Sequence, residues 1–216
     1  GHDVMFKFLD PKKLAALLAA GCSCVLKPAE ETPASTNALL QCLLDAGLPA
    51  NVVNLVYGVP SEVSSFLIRD DRVAKIPFTG SVPVGKMLAA EAGKYMKPAT
   101  MELGGHSPVL VYPDANLEKV TDILVARKFA NSAQVCVSPN RFFIHDDILD
   151  EFTDMFCRKA SALRIGEGTD PDVQMGPLAN QRRLDAVEGL VADAPNRGAK
   201  LVLGGTRLNR PGYFFP

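Results

Sequence analysis

Two side chains in this sequence have the type and setting for covalent or proton-transfer chemistry. Cys136 lies in Asn131-Ser132-Ala133-Gln134-Val135-Cys136-Val137, a loop-like stretch between a helical segment and an apolar one. A loop cysteine can be reached by a substrate and can attack it as a thiolate. Cys22 and Cys24 instead read as part of a buried core strand, where a thiol is inert. The plainer alternative for Cys136 is the same inert role. Glu102, in Met101-Glu102-Leu103-Gly104-Gly105, is a carboxylate between apolar residues at a strand end. Partial burial there would raise its pKa and suit it to general-base work near neutrality. The plainer alternative is an alternating strand with its polar side outward. His106 and His145 are the histidines besides His2, and a Cys136–His106 pair would make a thiol hydrolase, although neither histidine stands in a protease signature.

Two further segments suit phosphate and ribose. Phe78-Thr79-Gly80-Ser81-Val82-Pro83-Val84-Gly85-Lys86 runs from a strand into a helix. A glycine turn at a helix N-terminus presents free backbone N–H groups to an anion. Gly80-x4-Gly85-Lys86 nearly completes a P-loop, but Met87 stands where Ser or Thr must hold magnesium, which argues against an ATPase. The G-x-G-x-x-G fingerprint is also absent, so a dinucleotide would need a site of another kind. A glycine serving only a tight turn is the plainer reading. In Leu26-Lys27-Pro28-Ala29-Glu30, a lysine and a glutamate three apart at a strand end could hold the two hydroxyls of a ribose. A carboxylate there disfavours a 2′-phosphate. The alternative is a solvated, charged loop.

The elements that would carry these residues follow from periodicity and punctuation. Asp10-Pro11 starts a helix with an apolar stripe of Leu14, Leu17 and Leu18, stopped by Gly21. Residues 22–26 read as a strand. Pro33 opens a helix lined by Leu39, Leu40, Leu43 and Leu44 and ended by Gly47. Strands are predicted over 52–56, 73–78 and 99–103, with helices over 60–69 and from Gly80-Ser81 to about residue 92. Gly104-Gly105 reads as a hinge. Beyond it come strands at 108–112, 141–145 and 200–203 and helices at about 115–130, 148–163 and 181–191. The alternation predicts an α/β protein, an open and mostly parallel sheet with helices on both faces joined to a second α/β domain. Ligands of such sheets sit at the carboxyl ends of the strands, where the candidate segments fall. The domains are placed at 3–103 and 104–216.

Composition narrows the class. The chain has 216 residues, 47% hydrophobic and 22% charged, with a net charge of -1, the balance of a globular protein without a basic footprint for nucleic acid. Five cysteines, an odd number, speak against a disulfide framework and for a reducing, cytoplasmic setting. Cys22-Ser23-Cys24 is too tightly spaced for a zinc site, so no metal is expected. No apolar run suffices to span a bilayer, and no signal-peptide pattern opens the chain. Gly1-His2 reads as a tag scar, and both ends read as cuts through something larger.

Taken in order, Lys27-Pro28-Ala29-Glu30, Phe78-Thr79-Gly80-Ser81 with Gly85, Glu102-Leu103-Gly104-Gly105 and Gln134-x-Cys136 resemble the motifs of the aldehyde dehydrogenase superfamily. The likeness extends through Ser107-Pro108, residues 138–142, Met175-Gly176-Pro177-Leu178 and Gly204-Gly205, and is nearest to succinate-semialdehyde and related aliphatic or aromatic aldehyde dehydrogenases. It implies the family's Rossmann-like domain and catalytic domain, each in part. It also implies NAD(P)-dependent oxidation of a small-molecule aldehyde through a thiohemiacetal and a thioester on Cys136, with Glu102 activating the hydrolytic water. The implied cofactor site comprises Lys27, Pro28, Glu30, Gly58, Phe78, Thr79, Gly80, Ser81, Gly85, Leu103 and Gly104, with Glu30 leaning towards NAD over NADP. A homo-oligomer is implied as well, with neither nucleic acid nor membrane as partner.

The chain departs from the family pattern in three respects. Val4-Met5-Phe6-Lys7-Phe8 lacks the Asn that completes the family's oxyanion hole, Ala133 replaces a usual Gly, and the family continues beyond Pro216. Loss of one oxyanion donor costs about 10²–10³ in rate. A non-catalytic dinucleotide-binding or subunit-interaction relative, and the Cys136–His106 hydrolase, are the competing functions.

Overall fold

The computed structural model of the chain describes residues 11–216, in two compact units that part between Gly104 and Gly105. In the first, α1 (Pro11–Ala19), β1 (Cys24–Leu26), α2 (Pro33–Asp45), β2 (Val53–Leu55), α3 (Pro60–Arg69), β3 (Ile76–Gly80), α4 (Val82–Lys94) and β4 (Ala99–Leu103) follow one another. Prolines at the first turns of α2, α3 and α4 set the starts, since a missing N–H costs nothing there. β1 pairs in parallel with β2, and β3 with β4, in the register Phe78↔Met101 and Thr79↔Glu102. Leu14, Leu26 and Val53 form one core, joined by Leu18 of α1 and Leu39, Leu40 and Leu43 of α2. Ile68, Ile76, Phe78, Leu88 and Ala92 form another, which Met101 and Leu103 join from β4.

The second unit holds β5 (Val109–Val111), α5 (Leu117–Phe129), β6 (Phe142–Ile144), α6 (Leu149–Ser161) and α7 (Gln181–Asn196). β5 and β6 are again parallel, with α5 crossing between them. Asn116 caps α5 by accepting from Lys119 N at 3.0 Å. Glu118 in the first turn and Arg127 and Lys128 in the last complement the helix dipole. Val111, Leu117, Leu124, Ile148 and Phe152 make the core, and the rings of Phe142, Phe152 and Phe156 pack together at centroid distances of 5.5–6.3 Å, one pair stacked, one tilted and one edge-on. Lys159 of α6 ties to α5 through Glu118 at 2.8 Å and Asp122 at 2.6 Å.

The α/β class with parallel strands stands as expected, the strands laddering as three pairs. Differences in detail have physical causes. Residues 200–203 form no strand: Leu201, Val202 and Leu203 are exposed, and no neighbouring strand among the described residues offers a ladder. Helix α7 runs to Asn196, beyond the expected end near 191, because Pro195 falls in the last turn, where it forfeits one hydrogen bond. Cys22 lies outside β1 and is exposed. Cys24 starts the strand half-buried, and burial pushes its thiol pKa up. Asp10 and the segment Val4–Phe8 lie outside the described residues. Among the described residues, no helix is long and apolar enough to cross a membrane.

Candidate active site

Cys136 sits in an exposed turn, two residues before Ser138, whose N–H closes it onto Val135 O at 3.0 Å. Among the described residues the backbone N–H groups of Cys136 and Val137 find no acceptor. The turn is fixed on both sides. After it, buried Ser138 donates through Oγ to Lys128 O at 3.0 Å. Lys128 Nζ donates to Asn140 Oδ1 at 2.7 Å, Asn140 N donates to His106 O at 2.9 Å, and Ser107 Oγ reaches Cys136 O at 3.4 Å. Burial of Lys128 pushes its pKa down.

Before the turn, Asn131, Ser132 and Ala133 all take left-handed backbone, with φ of 50°, 54° and 60°. Each non-glycine residue there costs about 1 kcal/mol or more. Tertiary hydrogen bonds hold this stretch. Ser132 Oγ donates to Gly176 O at 2.6 Å, and Ala179 N donates to Gln134 Oε1 at 3.0 Å. Gln134 N also donates to Asn131 O at 3.1 Å. No hydrogen bond joins the His106 imidazole to Cys136 among the described residues, so the hydrolase pairing lacks its essential contact.

In the first unit, Lys27 immediately follows β1 and is 1% exposed, which excludes the solvated-loop alternative. Its ammonium donates to Glu30 Oε1 at 3.0 Å and to Pro28 O at 3.1 Å. Burial pushes the Glu30 carboxyl up, but the hydrogen bond and charge of Lys27 outweigh this and hold it below the usual range. Gly58 follows β2 with φ of 152°, a conformation that side chains disfavour. Gly80 ends β3, and Ser81 caps α4 without a side-chain capping bond, so among the described residues its hydroxyl and the first N–H groups of a 13-residue helix find no partner. Phe78 is fully buried beneath them. Thr79 accepts from Lys13 Nζ at 2.6 Å.

Gly85, buried in α4, lies so close to β4 that a Cβ on it would fall 2.5 Å from Leu103 Cδ2. Glu102 is exposed, contrary to the partial burial expected of it. Alternation turns Met101 and Leu103 onto the core beneath α4 and leaves Glu102 on the opposite face of β4, beside its register partner Thr79.

Lys27, Pro28 and Glu30 are thus brought together, as are Thr79 with Glu102 and Gly80 with Leu103. No hydrogen bond or ion pair among the described residues links the first group to the second. Glu102 belongs to the first unit and Cys136 to the second. Sequence alone assigns Lys13 and Ser132 no role, and Gln134 enters it only as part of the Gln134-x-Cys136 motif. The partners of Lys13 and Ser132 lie 66 and 44 residues away, a separation that periodicity does not carry.

Residues 9–216 match the model of the aldehyde dehydrogenase family. The chain belongs to that family. It is 46% identical to the 4-(hydroxymethyl)benzenesulfonate dehydrogenase TsaD1 of Comamonas testosteroni over 95% of its own length and 42% of that protein's. It is 42% identical to the succinate-semialdehyde dehydrogenase of Paenarthrobacter nicotinovorans, over 94% of this chain and 46% of the other. A crystal structure of an E. coli NADP-dependent enzyme superposes with a TM-score of 0.92 at 40% identity, covering 96% of this chain and 43% of that one. The chain therefore spans less than half the length of these relatives. Ala133 has φ of 60°, so a backbone that suits glycine carries a side chain here.

Proposed function

We propose that this chain carries the nucleophile, the general base and part of the dinucleotide site of an NAD(P)-dependent aldehyde dehydrogenase. The observation that carries the reading is the Cys136 turn: an exposed cysteine whose own N–H and that of Val137 have no acceptor among the described residues, on a loop fixed from both sides. The thiolate attacks the aldehyde carbonyl carbon, and the new oxyanion receives the free Cys136 N–H, giving a thiohemiacetal. Bound NAD(P) supplies the hydride acceptor. Cys136 would hold the acyl group as a thioester once that acceptor has taken the hydride. Glu102, an exposed carboxylate, takes a proton from water as that water attacks the thioester, releasing the carboxylic acid and returning Cys136 as the thiolate.

The dinucleotide is held by the residues whose chemistry fits it. The open N-terminus of α4 with Gly80 and Ser81 suits the pyrophosphate, because free N–H groups and the helix dipole both favour an anion. Lys27 and Glu30 suit the adenosine ribose, with Pro28 and Gly58 lining the same strand ends. The Glu30 carboxylate favours a free 2′-hydroxyl and hence NAD. Thr79 and Gly104 complete the remaining wall, with the core-packed Phe78 and Leu103 supporting it from beneath. The test is reduced-nicotinamide formation with a panel of aliphatic, aromatic and semialdehyde substrates and either cofactor, comparing the chain with Cys136→Ala. Turnover that disappears in Cys136→Ala is expected. Turnover that persists in it would refute the assignment, and failure of the folded chain to turn over would leave the non-catalytic alternative.

A further inference from the structure

We infer that the segment Met175–Ala179 is a positioning element for Cys136, acting through Ser132 and Gln134; this rests on the reading of Cys136 as the nucleophile. The segment is itself well anchored. Met175 and Leu178 are buried, Gly166 N donates to Met175 O at 3.1 Å, and Leu178 N donates to Tyr213 O at 2.9 Å. Between these anchors its backbone turns to the cysteine loop. Gly176 O accepts from Ser132 Oγ at 2.6 Å, Pro177 O lies 3.3 Å from the same hydroxyl, and Ala179 N–H is received by Gln134 Oε1 at 3.0 Å. These contacts grip the residues that bring the chain from α5 to Cys136, the stretch where the backbone is left-handed at three consecutive positions.

A strained stretch persists where its surroundings over-determine it, and here the surroundings are one segment more than forty residues away in sequence. Neither Ser132 nor Gln134 takes part in the proposed chemistry. Their side chains point to backbone, and their effect on the thiol passes through the conformation of residues 131–136.

Ser132→Gly separates positioning from mere stability. It removes the hydroxyl while giving the φ of 54° to the residue that tolerates it, so a purely structural role predicts a protein at least as stable, with unchanged chemistry at Cys136. The readout is the rate and pH profile of alkylation of Cys136 by iodoacetamide in the whole chain, resolved by peptide mass spectrometry. Exposed Cys22 and Cys42 in the same molecules serve as references. Positioning predicts that Ser132→Gly and Gln134→Met each keep the melting temperature to within a few degrees, yet lower the Cys136 rate about tenfold or displace its pH midpoint. Gln134→Glu, which keeps an acceptor facing Ala179 N–H, should recover a large part of the rate. Wild-type-like Cys136 rates and midpoints in Ser132→Gly and Gln134→Met would overturn the positioning role while leaving the nucleophile reading intact. A wild-type Cys136 no more reactive than Cys22 and Cys42 would overturn both.

Discussion

Two glycines of the same helix give a direct test of how α4 meets β4. Gly85 and Gly93 both lie within Val82–Lys94, and alanine improves intrinsic helix propensity at either by about 0.5–1 kcal/mol. At Gly93 an added Cβ meets nothing within 4 Å, so Gly93→Ala should stabilise the protein by about that amount. At Gly85 the same Cβ would lie 2.5 Å from Leu103 Cδ2 and 2.9 Å from Cδ1, well inside contact distance. Leu103 belongs to the core beneath the helix, and forcing a methyl into such packing costs about 1–3 kcal/mol. The packing term outweighs the propensity gain, so Gly85→Ala should end up to about 2 kcal/mol less stable than wild type. The difference between the two variants is the packing term alone. Urea unfolding followed by far-ultraviolet circular dichroism is the assay, since the chain has no tryptophan. Adding Leu103→Val to Gly85→Ala should recover part of the loss, a coupling that a double-mutant cycle reads. Equal stabilisation by Gly85→Ala and Gly93→Ala would refute the close approach as a constraint. It would also remove the reason for glycine at the sixth position of the Gly80-to-Gly85 segment.

Further outcomes follow from other parts of the molecule. Phe152→Ala removes a 5%-exposed ring that packs on Phe142 and Phe156 and should cost about 3–5 kcal/mol, read as a fall in the urea midpoint; a loss below about 1 kcal/mol would contradict its place in the core. Ala133→Gly should stabilise the chain by up to about 1 kcal/mol through relief of the φ of 60°, and a lower melting temperature would contradict the strain. The Glu30 carboxyl is held below its ordinary 4.5 by Lys27, so the stability it adds is present above that pH and is lost as pH falls through the lowered native value. Acid titration of Glu30→Gln should accordingly show a shallower loss of stability below pH 4.5 than wild type, and parallel curves would refute the pairing.

The elements were legible where local signals set them. Helix α3 falls on 60–69 as its proline start and apolar spacing require, and β4 falls on 99–103. The carboxyl-end positions of Lys27, Gly80 and Gly104 follow from those elements. Other features depend on partners distant in sequence. Lys27 looks like a surface lysine in a charged loop, and its burial comes from packing that no local pattern encodes. Glu102 is exposed on an alternating strand and not partly buried, because which face of β4 carries cover depends on the position of α4, which no local pattern gives. Residues 200–203 have strand-like composition yet lack a ladder partner among the described residues, and composition cannot supply one.

The Cys136 loop shows why site and stability arguments must be made together. Three left-handed non-glycine residues in succession cost about 3 kcal/mol or more. Against this stand the hydrogen bonds Ser132–Gly176, Ala179–Gln134, Gln134–Asn131 and Ser138–Lys128, each worth about 1 kcal/mol net. The two sums nearly cancel, so the loop contributes little to folding, and its conformation depends on the anchoring of what grips it: the segment fixed by buried Met175 and Leu178, and buried Ser138 at the loop's own end. A segment near balance is the place where a single lost hydrogen bond changes conformation before it changes global stability. Variants at Ser132 and Gln134 should therefore register in the reactivity of Cys136 at a level of perturbation that leaves the melting transition almost unmoved.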